Sequence, residues 1–123
     1  MHNPFRLFNS QFLQELTMLP EILVRSDLQS PPRAIQLERG CTAIGRGPSS
    51  GLFLSDPSIS RDHGAFSYYI GLLMVEDHDS TNGIFVNGRR VKRQVLYAGD
   101  QVSVGNFDIV VKSGSVPSLE TQD

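Results

Sequence analysis

Three short polar clusters hold the residues of this chain best suited to chemistry: Gly45-Arg46-Gly47, Ser58-Ile59-Ser60-Arg61-Asp62-His63, and Asp79-Ser80-Thr81-Asn82-Gly83, with Asn87-Gly88 following. Arg46 lies between two glycines, so the backbone can bend sharply and nothing bulky shields the guanidinium, a planar fork of donors that suits a phosphate. Taken alone it also reads as a solvated turn arginine. Ser60 brings a hydroxyl that can join turn N–H groups in a small anion nest, and Arg61 adds a second cation. The competing reading is a turn in which Ser60 bonds its own backbone. Asn82 can donate and accept through one carboxamide and so grip an extended peptide, or it can fill a left-handed turn position. His63, just before Gly64, reads as a hydrogen-bonded structural histidine rather than a ligand or base. Asn87-Gly88 reads as a hairpin turn rather than a contact.

Catalytic arrangements fit the same residues poorly. Cys41 to Arg46 misses the spacing of a phosphotyrosine phosphatase loop by one residue. Ser60 and His63 are too close along one turn to be assumed nucleophile and base. Gly45-x-Gly47-x-x-Ser50 lacks the third glycine of a dinucleotide fingerprint, and the chain has no Gly-Lys-Ser/Thr run. Asp77-x-Asp79-x-Thr81 is a poor calcium loop, with its glycine one place late and Gly88 where the closing glutamate belongs. The expectation is therefore a binding protein with no catalytic residue, no metal and no cofactor.

The elements that must position these clusters are strands. Ile22 to Val24, Ala34 to Leu37, Thr42 to Ile44, Leu52 to Leu54, Ala65 to Tyr69, Leu72 to Glu76, Ile84 to Val86, Val91, Val95-Leu96, Val102 to Val104 and Phe107 to Val111 are short, rich in apolar and β-branched residues, and separated by turn chemistry. Tyr69-Ile70-Gly71-Leu72 and Val104-Gly105-Asn106-Phe107 read as tight hairpins, and Tyr97-Ala98-Gly99-Asp100 as a further turn. Many short strands with no helical segment between them predict an antiparallel β-sandwich over residues 21–112. Before it, Asn3-Pro4 is a helix-start signal, and Phe5, Phe8, Phe12, Leu16 and Leu19 fall on one helical face that ends at Pro20. Residues 1–20 are thus expected to be an arm or short amphipathic helix, packed on the domain or used for self-association. Residues 113–123 are polar and expected to be a disordered tail. Arg89-Arg90-Val91-Lys92-Arg93 is a basic run, read as a solvated hairpin loop, with nuclear targeting or contact to an acidic partner as the alternative.

Composition narrows the class further. The 123 residues include 39% hydrophobic and 20% charged residues, ordinary for one globular domain. A formal net charge of −2 argues against a nucleic-acid binder held by counterion release, so any anion site must be local. No apolar run approaches the roughly 18 residues of a membrane span. The single cysteine, Cys41, excludes an internal disulfide and points to an intracellular, reducing setting.

Jointly, these clusters resemble the forkhead-associated (FHA) domain, a β-sandwich that binds phosphothreonine peptides. The resemblance runs from about Ile22 to Lys112 and is carried by Gly45-Arg46, Ser60-Arg61-x-His63, Asp79-Ser80-Thr81-Asn82-Gly83 with Asn87-Gly88, and the late Leu96, Gly99-Asp100-x-Val102 and Gly105. It implies about eleven strands, with the ligand at loops of one end. It implies that Arg46 and Ser60 hold the phosphate, that Arg61 assists, that Thr81 lines the site and that Asn82 grips the peptide on the C-terminal side of the phosphothreonine. Gly45, His63 and Gly83 would shape the loops. The implied partner is a phosphothreonine-containing protein made by a Ser/Thr kinase. Ser58 is uncharged where some relatives carry a base, so the resemblance leaves open the preference for the residue three after the phosphothreonine.

Overall fold

A computed structural model of the chain describes residues 18–27 and 29–116. Among them lie eleven strands: β1 (Glu21–Arg25), β2 (Arg33–Gln36), β3 (Gly40–Gly45), β4 (Leu52–Phe53), β5 (Gly64–Tyr69), β6 (Leu72–Asp77), β7 (Ile84–Val86), β8 (Arg89–Val91), β9 (Arg93–Val95), β10 (Gln101–Val104) and β11 (Phe107–Ser113). They form a six-stranded sheet in the order β2-β1-β11-β10-β7-β8 and a five-stranded sheet in the order β4-β3-β5-β6-β9. The β-sandwich expected from the strand spacing is the fold observed. One pairing departs from a purely antiparallel plan: β4 lies parallel to β3, with Ile44 opposite Leu52.

Alternation builds the core. In β1 Ile22 and Val24 point inward, as do Phe66 and Tyr68 in β5, Leu73 and Val75 in β6, Val102 and Val104 in β10, and Ile109 and Val111 in β11. Side chains two apart share a face, so each strand gives one row to the layer between the sheets. Each fully buried aliphatic or aromatic side chain contributes about 1.5–3 kcal/mol.

Register sets which loops meet. Ile44 faces Gly64, Gly64 faces Asp77, and Val104 faces both Ile84 and Phe107. The segments after β3, before β5, between β6 and β7 and between β10 and β11 therefore emerge at one end. The Ile70-Gly71 and Asn87-Gly88 hairpins close the opposite end, with positive φ at all four residues (49°, 79°, 51° and 84°). That is the backbone of a two-residue type I′ turn.

Two expectations change at the borders. The sandwich does not stop at Lys112: β11 runs to Ser113, and Ser115 and Val116 are buried. Ser115 Oγ accepts from Leu73 N at 2.8 Å and donates to Leu73 O at 3.2 Å, so a polar residue extends the five-stranded sheet's hydrogen bonding. The basic run is not a hairpin loop either. It spans β8 and β9, the edge strands of the two sheets, with Lys92 as the crossing residue whose carbonyl accepts from Asp77 N. The arm expected over residues 1–20 lies outside the described residues except for Met18, Leu19 and Pro20, and the tail beyond Val116 lies outside them too.

Candidate functional site

The loops at that end are fastened to one another through residues 58–63. Arg46 N donates to Ser60 O (3.1 Å) and Gly47 N to Arg61 O (3.4 Å), which lays the β3–β4 loop along the β4–β5 loop. Gly45 allows this approach, because a Cβ there would lie 2.0 Å from Arg61 O. The β6–β7 loop joins from the other side: Thr81 N donates to Ser60 Oγ (3.1 Å) and Asn82 Nδ2 to Ser58 O (2.8 Å). The β10–β11 turn adds a fourth contact, Asn106 N to Ser58 Oγ at 2.9 Å.

His63 is the pin beneath these loops. It is fully buried; its Nδ1 accepts from Ser60 N at 3.0 Å and its Nε2 lies 2.8 Å from Gly83 O. An acceptor at Nδ1 places the ring proton on Nε2, where it donates to the Gly83 carbonyl. Both nitrogens are thereby occupied by backbone, and His63 has none to offer the Ser60 hydroxyl as a base. Gly83 sits at φ +80°, and Ser80 closes the same turn, its Oγ accepting from Gly83 N at 2.9 Å while donating to buried Asp77.

The exposed groups above this pin are partly engaged and partly unspent. Arg46 Nε donates to Ile59 O at 3.1 Å, and the residue is exposed. Ser60 Oγ accepts from Thr81 N. Asn82 spends one amide hydrogen on Ser58 O and keeps its carbonyl and second hydrogen. Arg61 and Thr81 are exposed beside them. All five candidate binding residues therefore stand on one rim, and Gly45, His63 and Gly83 lie buried under it.

Residues the sequence reading did not single out hold this rim together. Asp56 accepts from Ser58 N (2.9 Å), Ser58 Oγ (2.7 Å) and Asn106 Nδ2 (3.3 Å), and the Ser58 hydroxyl and amide hold its carboxyl below the ordinary carboxylate value. Behind the rim His78 bonds Asp62 Oδ1 at 2.7 Å and lies 3.4 Å from Glu76, and the Asp62 bond above all raises the imidazole's pKa. Arg93 depresses the Glu76 carboxyl, and Lys92 depresses that of Asp79. The local signal for Asp56 was the Asp-x-Ser spacing of an Asx turn. Nothing local pointed to Asn106, 50 residues away.

Fold and rim together define a β-sandwich module that presents guanidinium, hydroxyl and carboxamide donors on loops at one end. The FHA domain family model matches residues 42–105. The oxoglutarate dehydrogenase inhibitor of Corynebacterium diphtheriae is 40% identical over 78 residues, covering 63% of this chain and 54% of that protein. The glycogen accumulation regulator GarA of Mycolicibacterium smegmatis is 40% identical over 78 residues, 63% of this chain and 49% of the relative. This chain thus spans about half the length of the curated relatives it matches. Among solved structures, one described for phosphothreonine-dependent FHA domain interactions superposes with a TM-score of 0.68 at 30% identity, covering 78% of this chain and 99% of that one. The FhaA FHA domain complexed with the intracellular domain of Rv3910 gives 0.65 at 32% identity, covering 73% and 98%. The chain belongs to the FHA domain family.

Proposed function

We propose that this chain is a non-catalytic module that binds phosphothreonine peptides at the rim formed by the β3–β4, β4–β5 and β6–β7 loops, coupling an intracellular Ser/Thr kinase to a partner protein. The observation that carries this reading is the tethering of exposed Arg46 to Ile59 O beside the half-buried Ser60, whose hydroxyl oxygen accepts from Thr81 N. A phosphothreonine brings about −1.5 to −2 charge and three acceptor oxygens. Arg46 and Ser60 supply matching donors, Arg61 adds a second cation, and Asn82 grips the peptide main chain where it leaves the phosphate. Thr81 lines the path, and the threonine methyl adds about 0.8 kcal/mol by burial over phosphoserine. Membership of a family whose solved members include a phosphothreonine-dependent example supports the choice of ligand.

The test is binding of a phosphothreonine peptide library, with phosphoserine and unmodified counterparts, to the parent chain and three variants. Arg46→Ala should abolish binding, and Ser60→Ala and Asn82→Ala should each weaken it by about 1–3 kcal/mol. If Arg46→Ala binds as tightly as the parent, the phosphate does not sit at this rim.

A further inference from the structure

The two outer faces of the sandwich differ in chemistry. On the six-stranded sheet Glu21, Arg25, Asp108 and Lys112 point away from the core, as befits a face open to water. The five-stranded sheet turns out Ala43, Ala65, Tyr69, Leu72, Met74 and Val95 instead. Register places them side by side: Ala43 is opposite Ala65, Met74 is opposite both Ser67 and Val95, and Tyr69 is opposite Leu72. Tyr69 is 57% exposed and Leu72 36%. The charged side chains that these strands turn outward, Glu76 and Arg93, pair with each other at 2.8 Å. A contiguous apolar face of this kind marks a contact surface.

The chain arrives at one end of this face. Met18, the first described residue, is exposed, and its carbonyl accepts from Tyr68 Oη at 3.2 Å, at the hairpin end of β5. Three extended residues cover about 10 Å, the spacing of the two layers, and so carry the chain round that end to Tyr69. The residues before them include Phe5, Phe8 and Phe12, at helical steps. At helical rise, residues 3–14 span about 18 Å. β5 and β6, six residues each, run about 20 Å. An amphipathic segment this short holds its shape only against a cover, and an apolar surface of matching length lies within its reach.

We propose that residues 3–14 dock over β5 and β6 on the outer face of the five-stranded sheet, with Phe5, Phe8 and Phe12 turned onto Tyr69, Leu72 and Met74 of the same chain. Ala43, Ala65 and Ser67 are small enough to let a helix come close, and the Glu76–Arg93 pair marks the rim end of the face. The contact does not depend on the peptide-binding reading, because it uses the sheet face and leaves the rim open.

Cys41, the single cysteine, reports the cover: it lies on the same face opposite Ser67, with its Sγ 3.7 Å from Tyr69 Oη. The test compares its rate of reaction with a water-soluble maleimide in the full chain and in the double variant Phe8→Ser, Phe12→Ser. Urea transitions show that both sandwiches are folded. The variant should react about tenfold faster, the change expected when a segment closed about nine-tenths of the time is released. Reciprocally, Met74→Lys puts a charge in the middle of the face and should speed chymotrypsin cleavage after Phe8 and Phe12 by about the same factor. Equal Cys41 rates in parent and double variant, or cleavage unmoved by Met74→Lys, overturns the proposal. Protection of Cys41 that fades on roughly hundredfold dilution assigns the cover to a second copy and overturns it too, since a contact within one chain does not depend on concentration.

Discussion

Arg46, Ser60 and Asn82 each make one side-chain hydrogen bond within the joined loops, and this has an energetic consequence for the proposed peptide binding. A free arginine loses roughly 2 kcal/mol of rotamer entropy when it is held. Binding Nε to Ile59 O removes part of that cost before any peptide arrives. The arrangement depends on His63, which bridges Ser60 N and Gly83 O from a fully buried position. His63→Ala leaves the buried Gly83 carbonyl without its partner, at about 1–3 kcal/mol, frees the half-buried Ser60 N–H, and adds a cavity. We expect a loss of about 2–5 kcal/mol in urea denaturation, together with weaker peptide binding as Ser60 and the 80–83 turn come loose. A folded His63→Ala chain of parental stability would remove His63 from this role. Gly45→Ala should be severe for a different reason, since its Cβ meets a backbone carbonyl that cannot swing aside.

Among the elements, the hairpins show what local sequence can and cannot specify. Asn87-Gly88 and Gly105-Asn106 were readable as turns because only certain residues accept positive φ cheaply, and both adopt it, at Asn87, Gly88 and Gly105. The Ile70-Gly71 turn was readable from its glycine, yet it places a β-branched residue at φ 49° with 85% of its surface exposed. A left-handed L-residue costs about 1–2 kcal/mol, and Ile70 recovers little of it by burial. Ile70→Asn should therefore raise stability by about 1 kcal/mol, and peptide affinity should not change because this turn lies at the end opposite the rim. A lower denaturation midpoint would mean that Ile70 makes a contact worth more than its strain. Pairing was less legible. The parallel β3–β4 match, the sheet switch at Lys92 and the capture of Leu73 by Ser115 are long-range choices, set by how apolar faces close over each other. Ser115 is the plainest case: a Gly-Ser stretch reads as coil until the neighbour with an unpaired backbone edge is known.

At the scale of the whole molecule, the ionised groups behind the rim give stability and binding different pH dependences. His78, held by Asp62 and Glu76, has a folded pKa above its ordinary value of 6.5. A raised imidazole pKa stabilises the fold fully below about pH 6.5, and that contribution is lost as pH climbs through the folded value. Glu76 and Asp79 are shifted down from 4.5 and 3.8 by Arg93 and Lys92. Their contribution is present above those values and is lost as pH falls through the folded ones. From these groups, stability should peak between about pH 4.5 and 6.5. A phosphothreonine gains its second charge near pH 6, so peptide affinity should still be rising there while the His78 contribution begins to fade. The discriminating variant is His78→Gln, which keeps a polar side chain and removes the titration. Between about pH 5.5 and 8, the parent's urea midpoint should fall more than that of His78→Gln, while both chains gain peptide affinity in parallel. Midpoints that fall equally in the two chains would place the alkaline loss elsewhere in the protein. A gain in affinity confined to the parent would mean that His78 reaches the ligand through Asp62 and the adjoining Arg61.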